Sequence, residues 1–193
     1  MIGTSAVRKI QIDKFHAKVI ATPADGDCML HSIARALYPS YTEGVYRGRK
    51  ISQREIVKKM RKNILEKLDR IDPKTGSTGY ELVAGGSFAE TSEFVETTRM
   101  AYLRNILSSS QQIGEEVKVI IEHFIECNIL LLDSRVNRLY TRDGFNKDWN
   151  CIVLYHTIHT DGEGQESGHF ELVVLDQEVF DPSHPFVRFL LKN

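Results

Sequence analysis

Apolar residues follow two spacings along this chain. Up to about residue 125 they recur every three or four positions, and from 128 onward they run together or alternate. The first spacing predicts helices and the second strands. Met29 to Tyr38 carries apolar residues at 30, 33, 34 and 37 and is closed by Pro39, so it reads as a buried helix. Ser52-Gln53-Arg54-Glu55 is a capping box, with Ser52 as N-cap and Glu55 reaching back. The helix behind it puts Ile56, Val57, Met60, Ile64, Leu65 and Leu68 on one face. Lys58, Lys59, Arg61, Lys62 and Lys67 read as its solvated face. Ser87-Phe88-Ala89-Glu90 offers a second box, and the pattern from Phe94 to Leu107 fits a helix ending near 108–110. Glu115 and Glu116 favour the first turn of another, whose stripe is Val117, Ile120, Ile121, Phe124 and Ile125.

The strands are shorter. Residues 7–21 alternate weakly, as a short strand or extended lead-in. Ile129 to Leu132 is a continuous apolar run, a strand covered on both faces. Arg138-Leu139-Tyr140-Thr141 is expected to pair with Cys151 to Tyr155 across a loop around Asp143-Gly144. His156 to Gly168 reads as a polar loop, Gly168 to Val174 as the start of a strand, and Phe186 to Leu191 as a short terminal helix. Ser40 to Lys50 and Asp72 to Gly86 read as loops.

Composition changes this picture little. The 193 residues suit one domain, 1–193, with a real core. A formal charge of −1 gives no global electrostatic case for nucleic acid or an anionic membrane. Cys28, Cys127 and Cys151 form no C-x-x-C pair and leave at least one thiol unpaired, which suits a reducing compartment. The N-terminus has no apolar run of signal-peptide length and no segment approaches a membrane span, so a cytoplasmic protein is expected.

The candidate chemistry lies at two distant places. Asp25-Gly26-Asp27-Cys28 is a tight polar turn that delivers a cysteine to the start of the first helix. There, unpaired N–H groups and the dipole favour an anion, which lowers a thiol's pKa, and the turn's N–H groups can hold an oxyanion. Inert packing is the commoner fate of a cysteine at such a position. The second place is Gly168-His169-Phe170-Glu171, where His169 and Glu171 share one face of a strand. A carboxylate there can orient the imidazole, which gives a base with its orienting group. His156, His159 and Asp161 read as plain loop residues rather than metal ligands. His31 reads as a packed helix residue, Cys127 and Cys151 as core, and Trp149 as structural.

Together these blocks resemble the ovarian-tumour (OTU) family of cysteine proteases. Asp25-Gly26-Asp27-Cys28 is similar to its nucleophile motif and Gly168-His169-Phe170-Glu171 to its histidine motif. Ile113-Gly114-Glu115-Glu116-Val117, leading to Cys127-Asn128-Ile129-Leu130-Leu131-Leu132, resembles its middle signature, with Ile113 in place of the usual tryptophan. The resemblance spans roughly residues 15 to 175. It implies an α/β (α+β), papain-like fold, a small, mostly antiparallel sheet packed between helices. It also implies a thiol isopeptidase cutting after the C-terminal glycine of ubiquitin. The implied site is Cys28 as nucleophile, His169 as base, Glu171 as third member where the family usually has Asp or Asn, and Asp25 ordering the oxyanion loop. Ubiquitin or polyubiquitin chains, and ubiquitin-like modifiers, are the implied partners of a monomer, with no cofactor, metal, nucleic acid or membrane. Two other readings stay open. One is a viral-type protease that processes a precursor, or an effector acting in a host cytoplasm. The other is a catalytically silent ubiquitin-binding module.

Overall fold

The computed structural model describes residues 6–71, 73–74, 76–79, 81, 93–109, 111–139, 145–160 and 166–192. The weakly alternating N-terminal segment folds as two full strands, β1 (Val7–Ile12) and β2 (Phe15–Ile20). Asp13, at φ 53°, makes their turn in the left-handed region that Asp tolerates better than most side chains. Helix α1 (Cys28–Leu37) follows. Residues expected as loop then form a short helix α2 (Pro39–Glu43) and a hairpin, β3 (Val45–Tyr46) with β4 (Arg49–Lys50). Pro39 starts α2 because its missing N–H costs nothing there, and Gly44 ends it at φ 67°. The capping box forms as expected and opens α3 (Gln53–Asp69). Two more helices, α4 (Glu93–Ser108) and α5 (Glu115–Ile125), precede the main strands β5 (Cys127–Asp133), β6 (Arg138–Leu139), β7 (Asn150–Thr160) and β8 (Glu166–Val174). Helix α6 (Pro185–Lys192) is last.

Among the described residues, six strands form one sheet in the order β1-β2-β8-β7-β5-β6. Only β5 and β7 run parallel; the other pairs are antiparallel, as expected of this fold class. Every residue of β5 is buried, and its alternate side chains serve two cores. Ile129 and Leu131 join Ile152, Leu154, Phe170 and Leu172 against helices α1, α3, α4 and α5. Leu130 and Leu132 join Val153, Tyr155 and Val173 against Phe186, Val187 and Leu190 of α6. The sheet is therefore sandwiched between helices.

Two further expectations need correction. β6 pairs with β5, through Leu132↔Leu139 and Asp133↔Arg138, rather than with Cys151–Tyr155. The reverse turn after Asp133 brings it back onto the strand just completed, while β7 is claimed on its two sides by β5 and β8. Second, much of the polar loop 156–168 is strand: β7 continues to Thr160 and β8 begins at Glu166, paired through Thr160↔Glu166. The expected capping box at 87–90, the loop at Asp143-Gly144, Gly85, Gly86 and Asp161 lie outside the described residues.

Phe186 is fully buried, with its ring 5.1 Å from that of Phe15 and 5.7 Å from that of Phe180. Phe186→Ala should cost about 3–5 kcal/mol in urea denaturation, because the cavity it leaves is walled by strands that cannot collapse. A loss below about 1 kcal/mol would mean that α6 does not close the second core.

Candidate active site

Strand β2 accompanies β8 only from Lys18↔Val174 to Ile20↔Leu172. Beyond Leu172 it has left the sheet on its way to α1, and the β8 backbone needs other partners there. The carbonyl of Phe170 accepts the Thr22 hydroxyl at 2.7 Å and the Ser32 hydroxyl at 3.2 Å. Ser32 is fully buried, and its hydroxyl also lies 3.0 Å from the Cys28 carbonyl one helical turn back. The N–H of Phe170 bears on the Cys28 sulfur. The start of α1 thus takes the place of a neighbouring strand and lays its cysteine against the residue that follows His169. Half-buried His169 stands opposite Thr157, whose hydroxyl donates to the His169 carbonyl at 3.3 Å. Gly168 has no room for a side chain: a Cβ there would lie 2.5 Å from Nε2 of His156, a ring stacked on Phe170 at 4.5 Å.

The turn before Cys28 is held from several sides. Gly26 sits at φ 84°, which a residue with a Cβ would adopt only under strain. Asp25 Oδ1 accepts the N–H of Asp27 at 3.2 Å, an Asx turn. Its Oδ2 meets His31 Nε2 at 3.2 Å, and His31 Nδ1 meets the Tyr41 hydroxyl at 2.7 Å. The tautomer that satisfies both neighbours has its proton on Nε2. Burial pushes the Tyr41 hydroxyl up to about 12, so it remains a donor. Asp25 therefore ties the turn to the first turns of α1, and His31 is a packed linker.

Arg61 does not lie on the solvated face of α3. It is 7% exposed and reaches Asp27, with Nε 2.9 Å from Oδ1 and a second bond from Nη2. The same guanidinium donates to the carbonyls of Ile106, Ser109 (2.6 Å) and Gln111 (2.9 Å). The next two residues continue the link: the Gln112 side chain donates to the Gly168 carbonyl, and the Ile113 N–H donates to the Gly26 carbonyl at 3.1 Å. Ile113, at the position of the absent tryptophan, is fully buried and touches the cysteine turn through its backbone. A signal for Arg61 existed in the sequence. Position 61 falls within the stripe of Val57, Met60, Ile64 and Leu68.

The expected lowering of the Cys28 pKa is overturned. Burial is the largest influence and pushes the thiol up; the N–H groups of Phe170, Met29 and Cys28 itself pull it down, and the nearby Asp25 carboxylate adds a smaller push upward. Cys28 is 2% exposed, so the loss of hydration outweighs the help of the helix start. Burial pushes Cys127 to about 12 and Cys151 to about 11, and all three residues are unpaired thiols. Glu171 is 7% exposed, and its Oε2 accepts from Arg8 of β1 at 2.6 Å. Arg8, which lies 5.6 Å from the Tyr155 ring centroid, was not singled out by sequence. Among the described residues, no three His, Cys, Asp or Glu side chains are grouped as metal ligands, and no helix is long and apolar enough to cross a membrane.

The structure therefore brings Cys28, Asp25 and the histidine strand to one sheet edge, and gives Glu171 an arginine partner. The family model for OTU-like cysteine proteases matches residues 23–170. Among solved structures, an ovarian tumour (OTU) domain in complex with ubiquitin is similar, with a TM-score of 0.53 at 13% identity, covering 95% of this chain and 87% of that one. The OTU domain of OTUD1 (TM-score 0.48, 12% identity, 82% and 85% covered) is another neighbour. A third is the Hazara virus OTU bound to ubiquitin (0.41, 18%, 91% and 92%). No curated protein matches the sequence.

Because burial holds the Cys28 thiol protonated, its alkylation by iodoacetamide should climb with pH through pH 8.5, by about tenfold per unit. Mass-mapped rates between pH 6 and 9 check this. A rate that levels off below pH 7 would instead reveal a thiolate–imidazolium pair already formed at rest.

Proposed function

The chain belongs to the OTU-like cysteine protease family, and on that premise we propose that it is a deubiquitinase that hydrolyses the bond after the C-terminal glycine of ubiquitin. The observation that carries this reading is the placement of Cys28 at the start of a helix whose Ser32 hydroxyl bridges the Cys28 carbonyl and the carbonyl of the residue after His169. The ubiquitin bound to an OTU domain of the same fold supports the choice of substrate.

His169 acts as general base and takes the Cys28 proton as the substrate closes over the site. The sulfur attacks the glycine carbonyl, and N–H groups of the turn from Asp25 to Cys28 receive the oxyanion. His169 then returns the proton to the leaving lysine amine, and water releases ubiquitin from the thioester. Glu171, fixed by Arg8, orients His169. Asp25 keeps the turn in register with α1 through His31.

A ubiquitin carrying a C-terminal thiol-reactive warhead should add once to the protein, as read by intact mass. The adduct should vanish in Cys28→Ala and persist in Cys127→Ser and Cys151→Ser; labelling at 127 or 151 would overturn the assignment. Cys28→Ala should still bind ubiquitin in titration calorimetry, since it removes chemistry but few contacts. On a fluorogenic ubiquitin amide, His169→Ala should lose on the order of 10³-fold or more in turnover. Glu171→Ala should lose roughly 10- to 100-fold, about 1.4–2.7 kcal/mol of barrier. If a folded Glu171→Ala protein stays within twofold of wild type, Glu171 is not the third member.

A further inference from the structure

A guanidinium has five N–H donors in a rigid fork. In Arg61 all five are used: Nε and Nη2 on Asp27, Nη1 on the carbonyls of Ile106 and Ser109, and Nη2 again on that of Gln111. Burying such a group is costly, and an apolar side chain of similar volume would often serve stability as well. The contacts are also not distributed as a core would need. One side of the fork holds the residue immediately before the nucleophile. The other holds the end of α4, which has no basic residue of its own in its last turn, and the residue leading into Gln112 and Ile113. Asp27, although the N-cap of α1, makes no side-chain cap bond, so its carboxylate is committed to Arg61 instead. From Gln111 the chain goes on to hold the histidine strand at Gly168 and the cysteine turn at Gly26.

We infer that Arg61 is a positioning residue for the reaction, fixing the Asp25–Cys28 turn in the geometry that receives the oxyanion and locking that turn to the histidine strand through Gln111–Ile113. This rests on the cysteine-protease reading given above. Lysine in place of Arg61 keeps the charge but offers three donors and no fork.

The test compares two reactions of Cys28. Hydrolysis of a fluorogenic ubiquitin amide passes through an oxyanion. Alkylation by iodoacetamide forms a sulfur–carbon bond, expels iodide and releases the thiol proton, with no oxyanion on the way. Arg61→Lys should lower kcat roughly 10- to 100-fold, less than the outright removal of an oxyanion donor because the turn's N–H groups remain, with KM and the alkylation rate both within about threefold of wild type. Asp27→Asn, which keeps the guanidinium and its three carbonyl bonds, should lower kcat about tenfold in the same pattern. It decides the matter alone if Arg61→Lys fails to fold. Wild-type kcat in the folded variants would overturn the inference, and so would hydrolysis and alkylation falling together with Tm, which marks a merely structural residue. Those results leave the protease reading standing. A wild-type protein that alkylates at Cys28 yet cleaves no ubiquitin amide would remove both.

Discussion

A strand that loses its neighbour partway along must satisfy its backbone some other way. In β8 this happens at Phe170, two residues beyond the last β2 pair at Leu172. Its carbonyl is filled by hydroxyls from the lead-in (Thr22) and from α1 (Ser32), and its N–H faces the Cys28 sulfur. The helical half of the molecule is thereby registered on the sheet within one peptide of His169. The Phe170 ring, packed in the core with α1, gives the same registration an apolar component. The placement of Cys28 thus follows from a requirement of backbone hydrogen bonding.

That arrangement has a chemical consequence. A sulfur seated deeply enough to touch the strand is screened from water, and burial outweighs the N–H groups that favour its anion. In the proposed mechanism activation therefore falls to His169, and the orientation of His169 and of the turn matters more than the resting charge on sulfur. Buried or partly buried ionic groups hold the turn and the carboxylate on the strand of His169. Arg8 holds Glu171, two residues along the strand from His169, and Arg61 holds Asp27 next to Cys28. In each case the arginine comes from an element remote in sequence.

Much of this was legible in the sequence wherever the cause was local. The helix behind Cys28, the capping box at Ser52 and Glu55, and the doubly covered strand at Ile129–Leu132 each follow from patterns within a dozen residues. What escaped depended on contacts across the fold. Charge alone groups Arg61 with its lysine neighbours, although its position in the stripe of Val57 and Ile64 puts it inside. The partner of β6 is not legible because a two-residue strand carries no pattern of its own. For the thiol's ionisation, the helix position is visible in sequence, but the balance between burial and backbone N–H groups at Cys28 is set only by the assembled fold. The hydroxyls of Thr22 and Ser32 gave no signal, being ordinary residues whose role exists only where β2 ends.

The contact between Cys28 and the Phe170 peptide can be measured directly by comparing amide spectra of 15N-labelled wild-type and Cys28→Ala protein. Loss of the sulfur should move the Phe170 amide proton more than any other outside α1, while amides of β5 and β6, on the far side of the sheet, stay in place. A Phe170 amide that does not move would contradict the seating of the nucleophile on the histidine strand.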